Sequence, residues 1–185
     1  MLKIFYSNIL NLPFPSKSQI LGVEKARRNY LLSISDKKRQ TQSYYVWKLL
    51  KKAISLLDVS TASGFTYNQK GYWQLKDNSI YFSLTHCDNM VAVCISDTPV
   101  GVDIERVDNR LTKLCKLFKV ENSDLTNLAT LWTQRESKIK LNSVVLGEEI
   151  FYNTSILNED NKNYVLTTAS YIKKDCQIEK NVLEY

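Results

Sequence analysis

Histidine occurs once in the 185 residues, at His86, while glycine appears 5 times and proline 3 times. One histidine excludes His-rich zinc sites, so any metal here must be held mainly by carboxylates, which suits a hard cation such as Mg²⁺. The scarcity of glycine and proline leaves little room for long flexible linkers. No apolar run reaches the ~18–20 residues of a membrane span. The opening stretch, MLKIFYSNILNLPFP, carries one lysine, has polar Ser7, Asn8 and Asn11 among its apolar residues, and lacks a small-residue cleavage site. It reads as a strand of the mature fold and not as a leader. Cys87, Cys94, Cys115 and Cys176 form no CxxC pair, which points to reduced thiols and the cytoplasm.

What is present is ordinary globular material, 44% hydrophobic and 24% charged. At about 150 residues per domain, one compact domain is expected. The net charge of +6 suits an anionic partner: nucleic acid, a phosphate-rich cofactor or an acidic protein.

Residues 1–10 alternate as a strand, and 16–32 carry the basic cluster Lys25, Arg27 and Arg28. From Asp36 to Asp58 the apolar positions Val46, Leu49, Leu50, Ala53 and Leu57 recur at helical steps, with Ser35 or Asp36 available as cap. Residues 65–82 read as short strands. VAVCI (91–95) and VGVDIERV (100–107), joined by Ser96-Asp97-Thr98-Pro99, read as a hairpin. A second helix is expected over 124–141, and two or three strands over 149–182. This mixed order predicts an α+β fold.

Two patterns carry chemistry. In VGVDIE, alternation puts Gly101, Asp103 and Glu105 on one strand face. A lone D-x-E pair is more often a solvated face. On the second helix, Leu125, Leu128, Trp132 and Ile139 form an apolar stripe with Glu136 near its middle and Lys140 one turn on. Either Glu136 and Lys140 make an i,i+4 ion pair, or Glu136 joins the strand carboxylates in a cation site, because an unpaired buried charge is costly. A basic chain holding such a cation suggests phosphoryl-type chemistry. His86, at the end of an apolar strand, has both a structural and a functional reading.

The segments FSLTHCDNMVAVCIS, VGVDIERV, LCKLF and LWTQRESKIK occur in the order and spacing of the 4′-phosphopantetheinyl transferases. The chain resembles the surfactin-synthetase-activating type, with G-[VI]-D-x-E at Gly101 to Glu105 and W-[ST]-x-K-E-[AS]-x-x-K at Trp132 to Lys140. The resemblance spans roughly residues 22–141. It implies two similar α+β halves in one chain, 1–98 and 99–185, packed as one compact domain. It implies that Asp103, Glu105 and Glu136 hold Mg²⁺ and that Glu136 and Lys140 are catalytic. It also implies that Lys25, Arg39, Thr85 and His86 bind coenzyme A. The implied reaction moves 4′-phosphopantetheine to a serine of an acidic acyl- or peptidyl-carrier protein, by a cytoplasmic monomer without nucleic-acid or membrane partners.

Four positions depart from the family pattern. Lys70-Gly71-Tyr72 replaces its Gly-Lys-Pro segment, Arg135 stands where lysine is usual, Gly22 replaces an early basic residue, and Asn142-Ser143-Val144 replaces a Gly-rich turn. These departures motivate a rival reading, a non-catalytic homologue that binds carrier protein or nucleotide. A basic RNA-binding domain would rest on charge alone.

Overall fold

A computed structural model of the chain describes residues 1–120, 124–142, 144, 147 and 149–183. Strand β1 (Leu2–Asn8) leads into helices α1 (Lys17–Leu21), α2 (Lys25–Ser33) and α3 (Lys37–Leu56). Asp36 caps α3, its carboxylate accepting the Arg39 N–H at 2.7 Å. Next come β2 (Phe65–Tyr67) and β3 (Trp73–Leu75), paired as a ribbon, then β4 (Tyr81–Cys87), β5 (Met90–Ser96) and β6 (Val100–Arg106). A 3-10 turn (Asn109–Leu114), α4 (Cys115–Phe118) and α5 (Leu125–Asn142) precede β7 (Phe151–Glu159), β8 (Lys162–Ser170) and β9 (Gln177–Lys180). The class is α+β. Among the described residues no helix is long and apolar enough to cross a membrane.

The larger strands form two sheets, ordered β4-β5-β1-β9 and β6-β8-β7. Every pairing in them is antiparallel except β9 on β1. Strand alternation builds the layers. Phe5, Val91, Val93 and Ile95 turn toward Tyr45, Trp47 and Leu50 of α3. The opposite faces, Leu2, Ile4, Ala92 and Cys94, meet Val102, Ile104, Tyr164 and Leu166 of the second sheet. Val165 packs with Leu128 and Ala129 of α5 on the outer face of that sheet. Burying a side chain of this size contributes about 1.5–3 kcal/mol, so these apolar layers dominate stability.

Two sequence expectations are corrected. β5 and β6 do not form a hairpin. β5 lies between β4 and β1, whereas β6 pairs with β8, so the chain passes from one sheet to the other at residues 96–99. The tight hairpins are β4–β5, turning at Asp88 (φ 52°), and β7–β8, turning at Asp160 and Asn161 (φ 51° and 58°). Asp and Asn tolerate that left-handed backbone.

The buried face of α5 also differs from the apolar stripe. It is Leu128, Ala129, Thr133, Ser137 and Leu141, while Ile139 is 43% exposed and Glu136 is half-buried beside that face. The cause lies in β6. A Cβ on Gly101 would stand 1.9 Å from the Ser137 carbonyl oxygen. Only glycine lets the α5 backbone approach so closely, and small hydroxyl side chains fill what remains, with Thr133 and Thr167 in contact at 2.8 Å.

Candidate functional site

β6 is an edge strand of its sheet, and its free backbone groups are satisfied by side chains from both neighbours. Ser83 accepts the Val102 N–H at 3.1 Å and Thr85 the Ile104 N–H at 3.3 Å. Lys140 donates to the Val102 carbonyl at 2.8 Å. This seam joins β4, β6 and α5 around Asp103, which is 8% exposed. Its Oδ1 accepts from the Thr85 hydroxyl at 2.9 Å and from Lys140 Nζ at 2.8 Å. A buried carboxylate requires such partners. Lys140 thus reaches across the helix–strand seam to Asp103.

Glu105 lies two residues on along the same face. Its Oε1 accepts the Cys87 thiol and the Arg106 N–H, both at 2.9 Å, with Arg110 Nη2 at 3.9 Å. Burial and the nearby carboxylate push the Cys87 thiol pKa up, so it remains a protonated donor. Glu136 sits on the same helical ridge as Lys140, one turn before it. Among the described residues no three His, Cys, Asp or Glu side chains gather as a metal-binding group.

An open cleft with a cavity volume of about 250 Å³ lies against this seam, and Arg27, Tyr30, Trp73, His86 and Lys140 are among its walls. His86 and Lys140 therefore share one cavity. The imidazole is pushed down to about 4, first by burial and then by the charges of Lys140, Arg39 and Arg27. Arg39, in the first turn of α3, acts on His86 through this field. Lys25 lines a different cleft, shared with Arg27 and Trp73 but not with His86. The Thr85 hydroxyl is engaged with Asp103.

Sequence reasoning passed over Arg27, Ser83 and Cys87. Arg27 is 3% exposed and stacked over Trp47 and Tyr30, at 4.8 and 5.0 Å from their ring centres. Burial brings its pKa down to about 10. In the sequence the only signal for Arg27 is the basic cluster of residues 25–28, a pattern that fits a solvated helix face as well as a phosphate contact. The departing turn after Lys140 includes Ser143, which lies outside the described residues.

No protein-family model matches the chain. The chain is similar to a 4′-phosphopantetheinyl transferase, gsp, of Aneurinibacillus migulanus, at 36% identity over 75 residues. That match takes in 35% of this chain and 32% of the relative, so it spans about a third of the relative's length.

Proposed function

We propose that this chain transfers the 4′-phosphopantetheine group of coenzyme A to a serine of an acidic acyl- or peptidyl-carrier protein, releasing adenosine 3′,5′-bisphosphate. The observation that carries this reading is the Asp103–Lys140 contact at 2.8 Å, built by the two motif segments and opening beside the cleft that holds His86. The partial similarity to a 4′-phosphopantetheinyl transferase supports it. The segments 1–98 and 99–185 are read as its two similar halves, and the chain as a cytoplasmic monomer without nucleic-acid or membrane partners.

In this reading His86, Arg39 and Lys25 hold the phosphates of coenzyme A, and Thr85 orders the seam beside them. The His86 imidazole is neutral at pH 7, so it would meet a phosphate as a single N–H donor until the anion raises its pKa. The serine hydroxyl attacks the phosphorus that carries pantetheine. The new P–O bond forms as the bond to the bridging oxygen breaks, and the electron pair leaves with adenosine 3′,5′-bisphosphate. Glu136 accepts the serine proton, directly or through water. Lys140 stabilises the negative charge growing on the phosphate oxygens.

Asp103, Glu105 and Glu136 supply hard oxygen donors. The contacts of Asp103 and Glu105 described above fall on one oxygen of each carboxylate, Oδ1 and Oε1, so the other oxygen of each would be offered to a small divalent cation, around which the three side chains would have to draw together. Mg²⁺ held there would neutralise pyrophosphate charge. A thermal-shift titration tests the assignment. With coenzyme A present, Mg²⁺ should raise the melting temperature of the wild type, and Asp103→Asn should lose that rise whatever its basal melting point. An undiminished rise in the variant removes Asp103 from the site.

A further inference from the structure

Strand β4 runs beside β6 without sharing its backbone ladder, since β4 pairs with β5 and β6 with β8. Side chains make the join instead. Alternation turns Ser83, Thr85 and Cys87 to one face of β4, and each of the three bonds to β6. Ser83 accepts the Val102 N–H, Thr85 accepts the Ile104 N–H and donates to Asp103, and Cys87 donates to Glu105 at 2.9 Å. The residue numbers rise together along both strands, so the three rungs share one register.

Two of these rungs end on carboxylates, Thr85 on Asp103 Oδ1 and Cys87 on Glu105 Oε1. Asp103 also has Lys140 at 2.8 Å. Glu105 has no cation so close. Its ion-pair partner Arg110 stands at 3.9 Å, is 61% exposed and is engaged by Asp108 at 2.9 Å. The other bond to Oε1, from the Arg106 N–H, comes from the adjoining residue. The thiol is therefore the short side-chain contact that fixes the Glu105 carboxylate from outside its own strand. A ligand held in advance loses less freedom when it binds a cation.

We propose that Cys87 is a positioning residue of the cation site. Its thiol holds Glu105 Oε1 and so leaves Oε2 for the cation, as Thr85 does for the oxygens of Asp103. Cys87 is not itself a ligand, and it lies outside the walls of the cleft shared by His86 and Lys140. This assignment rests on the reading of Asp103, Glu105 and Glu136 as holders of Mg²⁺.

The test reads metal affinity and not turnover. The full chain and its variants are melted with coenzyme A over a range of Mg²⁺ concentrations, and the concentration that gives half the maximal rise is compared. Cys87→Ala should move that midpoint upward about tenfold or more, the loss usual when a hydrogen bond behind a metal ligand is removed. Cys87→Ser keeps a donor and should stay within about threefold of wild type. A thiol that only supports the fold would lower the metal-free melting temperature of Cys87→Ala and leave the Mg²⁺ midpoint in place. Should Cys87→Ala fold poorly, Cys87→Val, whose branched apolar side chain suits a strand, must show the same upward shift. An unchanged midpoint in the apolar variants, or a Cys87→Ser midpoint as high as theirs, overturns the positioning role while the wild type still responds to Mg²⁺. A wild type without any Mg²⁺ response overturns the cation reading itself, and the role of Cys87 with it.

Discussion

At the residue scale, His86 links stability to pH through its surroundings. Burial, with Lys140, Arg39 and Arg27 nearby, brings its pKa to about 4 in the folded chain, against about 6.5 when unfolded. Between those values the unfolded chain binds the extra proton, so stability falls as pH drops from about 6.5 to about 4 and changes no further from this group below that. The slope contributed is at most about 1.4 kcal/mol per pH unit. Thermal melts across that window should show the decline in wild type and a flatter profile in His86→Gln; parallel profiles would contradict it. The sequence nominates His86, Asp103, Glu105, Glu136 and Lys140 because each falls in a short segment of fixed spacing, and the structure brings Lys140 onto Asp103 and His86 onto the same cleft as Lys140. Arg27 was not legible there, because its burial depends on Trp47 and Trp73, which lie 20 and 46 residues further along the chain.

At the scale of elements, the lesson is how α5 meets β6. Helical periodicity located the helix almost to the residue but rotated its buried face, since counting apolar side chains assumes an apolar floor. The floor here is Gly101, Asp103 and Thr167, and it takes Thr133 and Ser137 instead. The β5–β6 hairpin failed for a related reason. Both strands are nearly all buried, so alternation could not show that they belong to different sheets. Gly101→Ala tests the close approach. Its Cβ would lie 1.9 Å from the Ser137 oxygen and 2.7 Å from the Leu141 nitrogen, both backbone atoms that yield only if the helix shifts. We expect a loss of about 1–3 kcal/mol in urea unfolding, as Lys140 is carried away from Asp103. A variant as stable as wild type would show that α5 does not rest on β6 in this way.

At the scale of the molecule, the β4–β5 turn ties both sheets and α3 together through Asp88. Its carboxylate accepts from Lys38 at 3.1 Å, Arg106 at 2.7 Å and Lys162 at 3.2 Å, while its carbonyl accepts from Gln42 at 2.7 Å. Burial alone would raise its pKa, but the hydrogen bonds from Lys38, Lys162 and Arg106 hold it well below the usual carboxylate range. Its stabilisation is therefore present above about pH 4 and fades as pH falls below that. Asp88→Asn keeps a residue that tolerates the left-handed turn and removes only the charge. It should cost about 1–2 kcal/mol at neutral pH, at the low end because Lys38 and Lys162 are solvent-screened, and little at pH 2; an equal cost at both pH values would contradict the charge network. By holding β4 against β6, this clamp fixes where His86 stands relative to Asp103 and Glu105, on which the proposed transfer depends. The most direct measurement of that transfer is intact-mass analysis of an apo carrier protein incubated with this chain, coenzyme A and Mg²⁺. The carrier should gain the mass of one phosphopantetheine group, at a rate cut about a hundredfold or more by Glu136→Gln. A folded chain that binds carrier and coenzyme A yet leaves the carrier mass unchanged would contradict the transferase reading and favour a non-catalytic homologue.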